Sequence, residues 1–305
     1  MRIATLVKSA AVLAVAAGAG FFALTMPAQL PAGTLAASYT PDTANGETMF
    51  NIGGCASCHK TEGQSQRTQL GGGHKLATPF GTFVVPNISM HPEHGIGRWS
   101  EDEFATAMLK GVGRGGEHLY PSFPYASYQR MRINDVRDLY AYMRTLPAVD
   151  IASHPHELAL PFRLRRGLGL WKLMFLDGKT FQDDPARSEQ INRGAYLVEG
   201  PGHCAECHSP RNALGGIEEG RRLAGGPAPD GKGFVPNVTP HADGLGNWTE
   251  RDISYLLESG FTPEFDSVGS TMADVIENTK RLSPEDRAAI AAYLKAIPAV
   301  ANRKD

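Results

Sequence analysis

The pentapeptide Cys55-Ala56-Ser57-Cys58-His59 recurs as Cys204-Ala205-Glu206-Cys207-His208, 149 residues further along a chain of 305. The text around it repeats as well. Trp99 and Trp248 stand 149 residues apart, as do Lys110-Gly111 and Ser259-Gly260; Val85-Pro86-Asn87 and Val235-Pro236-Asn237 are offset by 150, and Leu146-Pro147 and Ile297-Pro298 by 151. A register held this closely to the end of the chain indicates one folding unit written twice. We therefore expect two tandem domains, residues 38–150 and 188–305, joined by a linker at 151–187 and preceded by a leader at 1–37. A chain of this length can give each unit its own core.

Every cysteine belongs to one of these pairs, and each pair is followed at once by a histidine, so none is spare for a disulfide. A bare Cys-x-x-Cys also serves zinc sites and redox dithiols. Zinc held by two such pairs usually brings them within about 15–20 residues, far closer than the 149 seen here. Covalent haem c uses each residue type at this spacing: two thiols add to two vinyl groups, and the adjacent histidine ligates iron. We expect one haem c at each motif. The first is held by Cys55 and Cys58 with His59 on the iron, the second by Cys204 and Cys207 with His208.

The start of the chain bears on compartment. Arg2 and Lys8 lead into an apolar run from Ser9 to Met26, longer than the usual 7–15 residues of a signal-peptide core and just long enough to cross a bilayer. The nearest approach to a cleavage site is Thr34-Leu35-Ala36. An uncleaved anchor and a removed signal peptide both remain open; each places the folded part on the periplasmic side of a bacterial inner membrane. The formal charge of −2 and the lack of a basic stripe argue against a nucleic-acid partner.

The expected architecture is mainly α, with Gly- and Pro-rich loops and no sheet. A first helix near Gly46–Ile52, and again near Arg193–Glu199, delivers the chain to each motif. A second starts at the capping box Ser100-Glu101-Asp102-Glu103, matched by Thr249 and Asp252. A third carries Leu139, Tyr140, Met143 and Leu146 in one unit and Ile290, Leu294 and Ile297 in the other. These spacings of three and four make one apolar face, closed by Pro147 and Pro298.

The chain then resembles a known family. The residues that carry the likeness are Gly111-Val112-Gly113-Arg114 with His118-Leu119-Tyr120-Pro121, Arg193-Gly194-Ala195-Tyr196-Leu197, Cys207-His208-Ser209-Pro210-Arg211-Asn212, and the stretch from Val235-Pro236-Asn237 to Gly244-Leu245-Gly246-Asn247-Trp248. Each unit is similar to a class I cytochrome c domain. The tandem resembles the cytochrome subunits of membrane-bound bacterial dehydrogenases for alcohols, aldehydes and sugars, some of which have a third haem motif that this sequence lacks. The resemblance implies two class I domains after the N-terminal hydrophobic helix. It also implies a periplasmic dehydrogenase catalytic subunit as electron donor, and quinone or the respiratory chain as acceptor.

It further implies sixth iron ligands. Met272, in Val268-Gly269-Ser270-Thr271-Met272-Ala273, stands where a class I domain keeps a methionine opposite the histidine. A His/Met pair fills both axial positions and raises the potential, as suits an electron carrier. The same offset of 149 places Phe123 at the matching position of the first unit, and phenylalanine cannot ligate iron. Met131, which the 151 offset pairs with Leu282, and His118 are the alternatives there, as is an open site. An open site keeps alive a rival function, a self-sufficient dihaem enzyme of the peroxidase or thiosulfate-oxidising type.

Asn87, Asn237, Trp99 and Trp248 are read either as propionate contacts or as loop braces. His91, His94, His154 and His156 are expected in solvated loops, and His203 against the second haem. The linker stretches Leu160–Arg166 and Trp171–Phe175 read as apolar packing between the domains with solvated arginines; contact with lipid headgroups is the rival reading.

Overall fold

A computed structural model describes residues 2–35, 38–228, 231 and 233–302. Ala36 of the cleavage-like site, Ala37, and the end of the second unit at 303–305 lie outside the described residues. After α1 (Arg2–Leu24), the first unit contains α2 (Thr43–Ile52), α3 (Cys55–His59), β1 (Lys75–Thr78), β2 (Gly81–Val84), α4 (Glu101–Lys110), α5 (Tyr125–Tyr128) and α6 (Ile133–Met143). The connecting stretch holds β3 (Glu157–Leu158) and α7 (Leu168–Phe175). The second unit follows with α8 (Glu189–Glu199), α9 (Ala205–His208), β4 (Gly226–Pro227), β5 (Phe234–Val235), α10 (Glu250–Ser259), α11 (Thr271–Thr279) and α12 (Pro284–Ala296).

The first and last helices of each unit cross, α2 on α6 and α8 on α12. Glycine makes the crossing possible. A Cβ at Gly46 would stand 2.1 Å from the Asp138 carbonyl oxygen, and one at Gly194 would stand 1.9 Å from that of Ala289. Asp42 caps α2 by accepting from the Ala44 and Asn45 amides at 2.9 and 3.1 Å. Ser283 caps α12, with Pro284 in its first turn. Both expected capping boxes form: Ser100 with Glu103 on α4, and Thr249 with Asp252 on α10. These helices end alike on left-handed glycines, Gly111 at φ 60° and Gly260 at φ 79°.

The buried faces match the expected stripes. Leu139, Tyr140 and Met143 join Met49, Phe50 and Met131, while Ile290 and Leu294 join Tyr196 and Leu197, all within a single connected cluster. In detail α6 stops at Met143 and α12 at Ala296, so Leu146 and Ile297 pack from just beyond the helix ends.

Two expectations are corrected. The expected absence of sheet fails, because β1, β2 and β3 form an antiparallel sheet and β4 pairs with β5. These short ladders satisfy main-chain groups in the loops that follow the Cys-x-x-Cys-His helices. Of the linker's arginines, Arg163 is exposed as expected, but Arg165 and Arg166 are half-buried on protein oxygens. Arg163 Nε donates to the Leu158 carbonyl at 2.5 Å, and Arg165 Nη1 to the His118 carbonyl at 2.9 Å. Arg166 Nε donates to Thr25 Oγ1 at 2.8 Å, at the end of α1. The linker's apolar packing is likewise only partial: Leu160, Phe162, Leu164, Leu173 and Met174 are exposed, whereas Trp171 meets the ring of Tyr125 edge-on and donates to the Leu214 carbonyl at 3.0 Å, joining the units.

Candidate functional site

Both Cys-x-x-Cys-His segments wind into a single helical turn that brings their thiols and imidazole to one surface. In the first unit Gly54, at φ 61°, turns the chain into α3. The decisive contact then comes from a distant loop: His59 Nδ1 lies 2.9 Å from the Pro86 carbonyl oxygen, and His208 Nδ1 lies 2.8 Å from that of Pro236. Each carbonyl can only accept, so Nδ1 carries the proton and Nε2 keeps its lone pair for a metal. Burial holds both imidazoles below the usual histidine range, His59 down to about 4, so they stay neutral. The repeated Val-Pro-Asn therefore supplies a main-chain oxygen.

Asn87 and Asn237 hold that oxygen in place. Asn87 donates through Nδ2 to the Val149 and Ile151 carbonyls, both at 2.8 Å, and accepts from the Ser89 amide at 2.8 Å. Asn237 donates to the Val300 carbonyl at 2.8 Å and accepts from the Thr239 amide at 2.8 Å. These bonds tie the loop to the end of its own unit, so both asparagines serve as loop braces. Trp99 and Trp248 pack half-buried against the core.

The thiols do not have the character of a redox dithiol. Burial pushes Cys55 and Cys204 up to about 12, and raises Cys58 and Cys207 as well. A reactive pair needs a depressed thiol. Two protonated thiols beside a neutral imidazole with a free Nε2 are the donor set that a covalently attached haem takes.

On the other side, the units keep their register. Val112 bridges His118 as Phe261 bridges Ser267, and the Leu119 amide donates to the Gly111 carbonyl as Val268 does to Gly260. From this shared anchor the chain runs to Phe123 in one unit and Met272 in the other. Met272 stands half-buried in the first turn of α11. Phe123 packs edge-on against Tyr125 and Tyr128. Met131 and its counterpart Leu282 are both buried, 1 % and 4 % exposed, and each amide closes the same kind of turn just before the last helix. His118 is buried, with its Nε2 2.9 Å from the Thr25 carbonyl oxygen at the end of α1.

The attachment segments of the two units meet. His203, at φ 40°, sets its Nε2 3.2 Å from the Gly53 carbonyl oxygen, which also accepts from the Tyr128 hydroxyl at 2.9 Å. The rings of His203 and Tyr128 stand edge-on at 5.6 Å. From α11, Asn278 donates to Ser57 Oγ at 2.6 Å and accepts from Arg67. Ser127 Oγ donates to Glu206 at 2.8 Å. Asp274 and Cys207 of the second unit stand near enough to the Cys58 thiol to add to its upward shift, after burial. His203 therefore touches the first attachment segment, a role that its place before the second motif does not reveal. Ser57, Arg67 and Asn278 escape sequence reasoning, since no local periodicity marks a contact across more than two hundred residues, and so does Tyr128, whose hydroxyl reaches Gly53 across 75.

The other loop histidines divide. His154 is exposed, as expected. His91 and His94 stack at 5.1 Å beside Asp150. His156 is corrected: it is half-buried, accepts from the Val84 amide at 3.2 Å and meets the rings of Phe83 and Tyr120.

The cytochrome c family matches residues 43–147 and 191–298. The chain is 48 % identical over 290 residues to a "Diheme cytochrome c-type" protein of Cereibacter sphaeroides, covering 94 % of this chain and 96 % of that one. It is 36 % identical over 272 residues to the fructose dehydrogenase cytochrome subunit of Gluconobacter japonicus, covering 88 % of this chain. Over 271 residues it is 36 % identical to the cytochrome c subunit of the quinone alcohol dehydrogenase of Gluconobacter oxydans, covering 85 % of this chain. The chain spans 55 % of the length of each of these two dehydrogenase subunits.

Proposed function

The chain belongs to the cytochrome c family, and from that premise we propose that it carries two covalent haems c and passes electrons from a periplasmic dehydrogenase subunit to quinone or the respiratory chain. The observation that carries the reading is the repeated contact of His59 and His208 with the Pro86 and Pro236 carbonyls, one prepared imidazole beside each thiol pair. The haems supply one-electron chemistry when bound. Cys55 and Cys58 attach one and Cys204 and Cys207 the other, with His59 and His208 on the irons. Met272 completes the second site. The junction of Gly53, His203 and Tyr128 holds the two attachment segments together, which favours transfer from one centre to the other within the chain. The dehydrogenase partner is supported by the relatives, which include cytochrome subunits of fructose and alcohol dehydrogenases. α1 is read as a retained anchor, since it is exposed along its length and apolar enough to cross a bilayer.

The test is reduction in native membranes. A dehydrogenase substrate should turn both haems ferrous in membranes holding the chain, and should not do so with the purified chain alone. Reduction of the purified chain by substrate would contradict an electron-transfer role. The packing of Phe123 where the second unit has Met272 favours a second reading, a ligand-binding first haem in a self-sufficient enzyme. Prompt carbon monoxide binding by the reduced protein, with turnover of peroxide or thiosulfate, would support that alternative.

A further inference from the structure

The linker around α7 is built inside out for a segment facing water. Its cations bond protein oxygens: Arg163 the Leu158 carbonyl, Arg165 that of His118, and Lys172 those of Lys110 and Gly111 at 2.8 and 2.6 Å, with Arg165 and Lys172 half-buried. Leu168, Trp171 and Phe175 are half-buried, but other apolar side chains turn outward, with Leu160 at 72 %, Leu164 at 64 %, Leu173 at 60 % and Met174 at 56 % exposure. Phe162 and Phe80 extend the patch, their rings edge-on at 5.0 Å. An apolar surface of this kind on a soluble face marks a contact.

The position of α1 identifies what covers it. Twenty-three residues of helix reach about 34 Å, enough to cross a hydrocarbon core of about 30 Å. The helix ends on the linker itself. Thr25 is fully buried and accepts from Arg166 through Oγ1. The Arg166 guanidinium also donates to the Phe22 carbonyl and lies over the Phe22 ring at 4.1 Å. Gly169, at the start of α7, packs so closely on Thr25 that a Cβ there would stand 2.7 Å from the Thr25 Cα. The outward leucines are thus fixed to the point where α1 would leave the bilayer. We propose that the segment 160–174 lies in the interface of the bilayer that α1 crosses, its leucines and Met174 among the acyl chains just below the phospholipid headgroups, and so sets the tilt of both haem units on the membrane. The proposal rests on α1 being a retained anchor.

The full chain, placed in phospholipid nanodiscs without any dehydrogenase, carries one added cysteine at a time: Leu164→Cys, Leu173→Cys, or Tyr255→Cys on α10 of the second unit as a control. Side chains 173 and 164 are more exposed in the chain itself than Tyr255, at 48 %. A charged, water-soluble maleimide should nevertheless label positions 164 and 173 about tenfold or more slowly than 255. Retained haem absorbance verifies folding in each variant, and either test position can carry the result. Equal rates in a chain that keeps residues 1–37 overturn the interfacial patch while leaving the anchor intact, as does protection that arises only when a dehydrogenase is added. A mature chain whose mass lacks residues 1–37 overturns the anchor, and the proposal with it.

Discussion

Met272 and Phe123 occupy the same place in two copies of one unit, four residues after equivalent backbone bonds at Leu119 and Val268. Met272→Leu should remove a thioether from the second iron, lowering its potential and letting the reduced protein bind carbon monoxide at a second-unit haem. An unchanged potential and no gain in binding would mean that Met272 is packing. A pH effect is expected from Lys172, whose ammonium burial lowers to about 7. Between that value and the ordinary lysine pKa near 10.4, the unfolded chain binds the proton that the folded chain has lost. Stability should therefore rise with pH across this window, with the penalty fully present below about 7. Chemical denaturation at pH 7 and 10 should show this rise flattened in Lys172→Met. At this scale the cysteines and proximal histidines are legible in the sequence because their chemistry demands fixed spacing. The carbonyls of Pro86 and Pro236 are not, because a main-chain oxygen carries no residue signature.

Helices α2 and α8 each meet their partner through one glycine. Gly46→Ala and Gly194→Ala force a methyl group onto the Asp138 and Ala289 carbonyls at about half an ordinary contact distance. Overpacking of this kind should cost at least about 1–3 kcal/mol, read as a lower thermal midpoint. A neutral or stabilising outcome at both positions would show that the crossing is looser than described. Helical faces, capping boxes and terminal glycines are readable in the sequence since each depends on neighbours within a few residues. The strands and the true ends of α6 and α12 are not. Lys75–Thr78 and Gly81–Val84 have no clear alternation; they pair because the loop after α3 must satisfy its main chain, and Leu158 arrives from the linker to extend the sheet.

At the scale of the whole molecule, the duplication is plain in the offsets near 149, whereas the meeting of the two units is not. His203 on Gly53, and Asn278 between Ser57 and Arg67, join residues with no shared periodicity. The anchor adds a further expectation: replacing residues 1–37 with a cleavable signal should release the protein to the periplasmic fraction, and an intact chain already found soluble with a mature N-terminus near residue 37 would contradict a retained α1. Electron passage depends on each attachment helix holding its own haem. Intact mass spectrometry of the denatured, acid-extracted chain measures this directly, since thioether-linked haem survives unfolding and coordinated haem does not. The expected mass is the polypeptide plus two haems, one for each Cys-x-x-Cys-His motif; a mass with one haem or none would contradict the account.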